Sequence, residues 1–284
     1  MAVLPIGQLM VYSANTTVWI TGASSGIGAA LAEHYARLGA SVILSSRNES
    51  QLQTVALRCV KISAPSDGKK RKSPDFFVVP VDMASTESIA KAWAEVGKLN
   101  RPIDILINNA GISQRSLTRD TGTEIDRKVM ELNFFGTLTL TKMVLPHMLT
   151  HGGGHIAAIS SIVGKFGFPL RSAYSASKHA LKGFFESLDA EERKHRIFVT
   201  LVYPGFITTK ISVNALTADG TAHGAMDNNQ KQGMAPEICA RKIERAIRRR
   251  KHEVLVGRKE LLLVHIRRFL PALYYTMARR VNPT

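Results

Sequence analysis

Thr17-Val18-Trp19-Ile20-Thr21-Gly22-Ala23-Ser24-Ser25-Gly26-Ile27-Gly28 runs from an apolar stretch into small residues and three glycines, and Ile27 to Leu38 then repeats apolar side chains at helical spacing. The pattern predicts a buried strand, a tight turn and a helix. Small residues at such a junction let backbone N–H groups and the helix N-terminus approach a pyrophosphate closely. The spacing is G-x-x-x-G-x-G and not G-x-G-x-x-G, so the turn by itself leaves open a strand-to-helix turn with no ligand.

Outward from this unit the same alternation continues. Ser41 to Ser45, Phe76 to Val81, Ile103 to Ile107, Ile156 to Ile159, Phe198 to Val202 and Glu253 to Val256 are short apolar runs of strand type, separated by helix-compatible stretches. A long helix is predicted from Tyr174 to His195. Strands and helices in alternation imply an α/β fold, a single Rossmann-type, doubly wound, parallel seven-stranded sheet with helices on both faces. The expected division is an N-terminal extension (1–16), a dinucleotide-binding catalytic domain (17–258) and a basic amphipathic C-terminal tail (259–284). The irregular stretch 205–234 is long for a compact domain, which suggests a substrate lid. His179, Met143 and Met148 fall on helical segments and are expected to pack.

The 284 residues, 45% hydrophobic and 21% charged, suffice for a sizeable core and exclude a wholly disordered chain. Cys59 and Cys239 lie far apart without a neighbouring His cluster, which suggests neither a metal site nor a disulfide framework and fits a reducing, cytoplasmic setting. No apolar run reaches the ~18–20 residues of a spanning helix, and Met1 to Ser13 lacks a basic leader, so a secretory signal is not expected. The formal charge is +16, and residues 241–284 carry ten of those net charges, with 13 Lys+Arg against 3 Asp+Glu. Zinc-finger spacing, an RNP aromatic motif and a basic zipper are all missing, so nucleic acid is not the expected partner. Leu261 to Val264, Phe269-Leu270 and Leu273 to Met277 alternate with Arg267-Arg268 and Arg279-Arg280. Such a stripe fits either an anionic bilayer, on its cytoplasmic face, or packing against the domain or a second subunit. The run Gly68-Lys69-Lys70-Arg71-Lys72 is expected to be a solvated surface loop.

Past the second strand, Ser45-Ser46-Arg47 stands where an enzyme selecting NAD places an acid on the ribose 2′-hydroxyl. A guanidinium offers paired donors to a 2′-phosphate, so NADPH/NADP is the expected cofactor, the alternative being an ordinary surface arginine. Asp82 follows the third strand and either bonds adenine or caps the next helix. Tyr174 and Lys178, four residues apart, share one helical face. A phenol needs a nearby cation to exchange protons near neutrality, and Lys178 would supply it. Ser161, just beyond the fifth strand, can hydrogen-bond a substrate carbonyl at the C-terminal edge of the sheet.

Together these residues resemble the short-chain dehydrogenase/reductase family. Thr21 to Gly28 matches its cofactor turn, Asn108-Asn109-Ala110-Gly111 its fourth-strand signature, Pro204-Gly205-Phe206-Ile207-Thr208-Thr209 its P-G-x-[VI]-x-T segment, and Asn133, Ser161, Tyr174 and Lys178 its catalytic tetrad. The resemblance implies cofactor contacts from Gly22, Ser24, Ser25, Gly26, Ile27, Gly28, Ser46, Arg47, Asp82, Asn108, Ala110, Gly111, Tyr174, Lys178, Pro204, Gly205, Ile207 and Thr209. Tyr174 would donate the proton, Ser161 hold the substrate oxygen, Lys178 favour the tyrosinate, and Asn133 help hold a relay water. A homo-oligomer through the helices that begin near Thr137 and Tyr174 is also implied. Arg171 to Tyr174, Ser177 to Ala180, Ser212 to Gly220 and Met226-Asp227 are similar to the membrane-associated member 7B subgroup of that family. That subgroup has been linked to reduction of acyl- or alkyl-dihydroxyacetone phosphate. The implied activity is NADPH-dependent reduction of a ketone or aldehyde on an apolar, lipid-like substrate. The competing reading is a catalytically silent NADP-binding or scaffold protein at a membrane surface.

Overall fold

The computed structural model describes residues 11–64 and 72–281. Strand β1 (Thr17–Thr21) sends Val18 and Ile20 to one side and Trp19 to the other, the period-two alternation of extended backbone. Both sides are apolar because both are covered. Val18 and Ile20 meet helices α1 (Gly26–Arg37), α2 (Glu49–Ser63) and, later in the chain, Cys239, Ala240, Ile243 and Ile247. Trp19 joins the opposite layer, formed by α3 (Thr86–Gly97), α5 (Gly136–Thr150) and α6 (Ser172–Glu192), while α4 (Thr123–Met130) leads into α5. Burial on two faces is what demands unbroken apolar strands.

The remaining strands are β2 (Ser41–Ser45), β3 (Phe76–Val78), β4 (Ile105–Asn108), β5 (Gly154–Ile159), β6 (Ile197–Pro204) and β7 (Glu253–Val256). They form one parallel sheet in the order β3-β2-β1-β4-β5-β6-β7, with Val18 level with Val42 on one side and Ile105 on the other. The order reverses between β1 and β4, which opens a crevice at the C-terminal ends of those strands. Helices α7 (Asn228–Lys231) and α8 (Pro236–Arg248) precede β7, and α9 (Leu262–Phe269) and α10 (Pro271–Arg279) follow it.

Several boundaries differ from the sequence expectation for identifiable reasons. β3 stops at Val78 because Pro80 has no N–H to donate, although Val79 and Val81 still bond Leu44 and Ser46 at 3.0 Å each. β4 begins two residues late, after Pro102, with the Asp104 carboxylate accepting the Thr17 N–H at 2.7 Å. The long helix begins at Ser172 and ends at Glu192, where a 3-10 turn over Arg193–His195 takes over. His179 is exposed and not a packing residue, its ring nitrogen bonded to the Ser175 carbonyl at 2.8 Å, whereas Met148 is fully buried. Residues 65–71, which hold most of the basic run after Ala64, and residues 1–10 lie outside the described residues.

The C-terminal helices lie against the body. Tyr274 is buried and packs on Phe166, ring centroids 5.2 Å apart, within a cluster that includes Ile162, Val163, Leu263 and Ile266. Leu262, Phe269, Leu270, Leu273 and Met277 remain exposed on the outward side. The stripe therefore divides, one face packing and the other facing solvent. Among the described residues no helix is long and apolar enough to cross a membrane.

Candidate active site

The glycine turn after β1 closes at two positions that need left-handed backbone, Gly22 at φ +65° and Gly26 at φ +55°. A Cβ on Gly28 would strike the Gly22 carbonyl, so the turn cannot carry a larger residue there. Asn109 locks the turn to β4: its amide donates to the carbonyls of Thr21 and Gly22 at 3.0 and 3.2 Å, and the Thr21 hydroxyl accepts from the N–H groups of Asn109 and Ala110. Asn109 stands out in the sequence only as part of the Asn108 to Gly111 motif; the fold shows that it staples two strand ends together. Ser25, at the N-terminus of α1, makes no side-chain cap, so the first-turn N–H groups face the crevice without an internal acceptor. Such amides suit a pyrophosphate. Ser24 and Ile27 flank this turn, half-buried.

Around the turn, Ser46 and Arg47 emerge from β2, and Arg47 is exposed. Asp82 does not cap α3. That role falls to Ser85, whose hydroxyl accepts from Ser88 N–H at 3.1 Å, while the Asp82 carboxylate accepts from Ala84 N–H at 3.0 Å. Asn108 is buried with its amide on the Thr141 hydroxyl at 3.0 Å, turned toward α5. Ile207 is likewise in the core, so Pro204 to Thr209 offers backbone there and not the isoleucine side chain. Thr209 comes over the glycine turn, 3.0 Å from where a Gly26 Cβ would sit.

Three predicted residues converge on the crevice floor. A Cβ on Gly111 would lie 3.3 Å from both Asn133 Oδ1 and Lys178 Nζ. Asn133 sits in a π-helical turn, Glu131–Phe135, between α4 and α5, a distortion that recurs at functional sites. Its side chain accepts from Ile112 N–H at 2.8 Å and donates to Ile112 O at 2.9 Å and Ser177 Oγ at 3.0 Å. It is thus a clamp across the chain, holding the loop after β4 to α6, and not a polar group satisfying its own helix. Lys178 is buried, donates to Ile159 O at 2.8 Å, and burial lowers its pKa from 10.5 to about 8.

Tyr174 is also buried, its ring centroid 5.7 Å from Lys178 Nζ. Burial raises the phenol pKa, while Arg171 and the Ser161 hydroxyl draw it down. Ser161, two residues past the end of β5, accepts from Val163 N–H at 3.4 Å and donates to Pro204 O at 3.5 Å. The cation acting on the phenol includes one that sequence reasoning gave no role. Arg171 donates to Ser113 Oγ, to Gln114 O at 2.7 Å and to Asp227 Oδ2 at 2.7 Å, and Arg115 pairs with Asp227 Oδ1 at 2.8 Å. One carboxylate of the 205–234 stretch, Asp227, is held by two arginines, one from the loop after β4 and one from the start of α6. Nothing in the local pattern marks these residues, because they come from three separated segments.

The arrangement is a dinucleotide crevice at a topological switch point, with a tyrosine, a serine and a desolvated lysine at its floor. A short chain dehydrogenase family model matches residues 16–220. The chain is a short-chain dehydrogenase/reductase. This short-chain dehydrogenase/reductase is 42% identical over 273 residues to mouse "Dehydrogenase/reductase SDR family member 7B", covering 95% of this chain and 83% of that protein. It is 40% identical over 265 residues to the Drosophila melanogaster "Dehydrogenase/reductase SDR family protein 7-like", covering 93% and 79%. Among solved structures, a short-chain dehydrogenase/reductase from Burkholderia phymatum in complex with NAD has the same fold, with a TM-score of 0.77, 22% identity, and 97% and 98% of the two chains covered. An oxidoreductase using a nicotinamide cofactor on a small-molecule substrate follows from the family.

Proposed function

We propose that this protein is an NADPH-dependent carbonyl reductase acting on an apolar, lipid-like ketone or aldehyde, with acyl- or alkyl-dihydroxyacetone phosphate among the candidates. The observation that carries the proposal is the half-buried Ser161 with the buried Tyr174 and Lys178 beside the glycine turn, and Arg47 beyond β2 where the 2′-substituent of a dinucleotide is selected. The residues fit the cofactor: glycines in left-handed backbone, unpartnered helix amides and a buried ammonium all suit a phosphate-rich dinucleotide. Gly22, Ser24, Ser25, Gly26, Ile27, Gly28, Ser46, Arg47, Asp82, Asn108, Ala110, Gly111, Tyr174, Lys178, Pro204, Gly205, Ile207 and Thr209 would hold it, and when bound it supplies the hydride.

Tyr174 gives its phenolic proton to the substrate oxygen as negative charge develops there. The Ser161 hydroxyl holds that oxygen by a hydrogen bond. The ammonium of Lys178 and, from the lid side, the guanidinium of Arg171 oppose the cost of a buried tyrosinate. Asn133 keeps the Ile112 loop closed over Lys178, and a water beside it returns the proton. The stretch 205–234 acts as a lid, tied down through Asp227. A silent dinucleotide-binding scaffold is disfavoured, because burying a lysine ammonium whose described partner is one backbone carbonyl and no carboxylate costs stability that a scaffold has no use for.

The outward side of α9 and α10 carries the exposed Phe269, Leu270 and Leu273 together with Arg268, Arg279 and Arg280, which supports docking on the anionic cytoplasmic surface of a membrane. Pairing of α5 and α6 between copies would give a homo-oligomer. NADPH oxidation measured with a panel of carbonyl compounds tests the proposal. Turnover that rises with chain length supports it, and cofactor binding without turnover on any member leaves the scaffold reading.

A further inference from the structure

The segment Pro204 to Thr209 is fastened by both neighbours, and one of the fastenings comes from beyond β7. Glu260 Oε1 accepts the N–H of Phe206 at 3.0 Å and the N–H of Arg258 at 3.0 Å. It occupies a cradle between the C-terminal ends of β6 and β7. A Cβ on Gly205 would collide with Oε1, and one on Gly257 would come within 2.5 Å of it, so glycine on both walls is what admits the carboxylate. On its other side Phe206 O accepts from Met234 N–H at 2.8 Å, and Gln230 Nε2 donates to Ile207 O at 2.9 Å, both from the end of the lid. Gly205 N–H donates to Val256 O at 2.8 Å and keeps the start of the segment on β7. Without Glu260 it is the Phe206 amide that loses its acceptor, and from Phe206 onward the segment is held from Gln230 and Met234 alone among the described residues.

The same C-terminal element reaches the other flank of the reacting centre. The Tyr274 hydroxyl donates to the Gly167 carbonyl, and its ring packs on Phe166 and Ile162, in the loop that begins at Ser161. Ser161 in turn bonds Pro204 O at 3.5 Å. The two backbone segments that border the catalytic serine are therefore each keyed to residues 260–274.

We propose that Glu260 is a positioning residue for cofactor binding: its carboxylate, seated between Gly205 and Gly257, sets the backbone of Pro204 to Thr209, and the segment from Glu260 to Tyr274 is a fixed wall of the active site. The inference rests on the reading of that segment as the cofactor segment. A carboxylate accepting two backbone amides is a strong tether, whereas an alanine leaves the Phe206 amide unpaired.

The test is the NADPH dissociation constant of the full chain, measured by fluorescence at a temperature well below the melting point of each variant. Glu260→Ala is expected to weaken NADPH about tenfold, while Glu260→Gln, which keeps an acceptor oxygen, stays within about threefold of wild type. Gly257→Ala displaces the carboxylate without touching the cofactor segment and should reproduce the Glu260→Ala effect; it serves if Glu260→Ala does not fold. Wild-type affinity in both Glu260→Ala and Gly257→Ala, or equal loss in Glu260→Gln and Glu260→Ala, overturns the positioning role. If wild type itself binds no NADPH, the cofactor reading fails and this inference falls with it; if wild type binds and the variants match it, only this inference falls.

Discussion

Replacing Lys178 with methionine should make the ligand-free protein more stable near neutrality while removing turnover. Burial holds the ammonium pKa at about 8 against the ordinary 10.5. Below that value the folded chain must keep a desolvated positive charge, which corresponds to about 3 kcal/mol of lost stability at 1.36 kcal/mol per pH unit. Methionine is close in volume and removes the charge, but it also removes the 2.8 Å bond to Ile159 O, worth about 1 kcal/mol. The net gain is about 2 kcal/mol. Between about pH 8 and 10.5 the unfolded chain binds more protons than the folded one, so the wild-type deficit shrinks as pH rises through that window and is gone above it. Urea unfolding of both proteins near pH 7 and near pH 10 measures this. A variant less stable than wild type near neutrality, or a difference that does not change with pH, would show that the ammonium is not held against its desolvation cost.

Two further outcomes follow from the same geometry. Arg47→Ala should weaken NADPH by about tenfold or more and leave NADH nearly unchanged, because only the former presents a 2′-phosphate; equal loss for both would make Arg47 structural. Phe269→Glu with Leu273→Glu leaves Tyr274 and Glu260 in place, yet should release the protein from anionic vesicles in co-sedimentation; unchanged binding, or none in wild type, would remove the outward face as a membrane contact.

Much of the architecture was legible because its signals are local. The β1 run, the glycine turn and the α1 periodicity lie within one window, and the boundaries of β1, β2 and β7 coincide with their apolar runs. Edges slipped where a proline or a cap intervened, at Pro80, at Pro102 and at Arg171, which stands before α6. Ser161, Tyr174 and Lys178 could be named from spacing and Asn133 from the family resemblance, but not how they are held. Asn133 reaches across to Ile112 from a π-helical turn that no periodicity announces. Arg171, Asp227 and Arg115 meet only after three segments close on one another, and Glu260 depends on glycines at the ends of two different strands. Such contacts are set by tertiary packing, so a one-dimensional pattern carries no trace of them.

As the proposed proton donor of a reductase, Tyr174 stands or falls on one comparison: NADPH oxidation with a carbonyl substrate by wild type and by Tyr174→Phe, alongside their NADPH affinities. The expected result is a fall in kcat of about a hundredfold or more, with cofactor affinity essentially kept, because one hydroxyl is lost from an otherwise intact crevice. Turnover by Tyr174→Phe at the wild-type rate would contradict it.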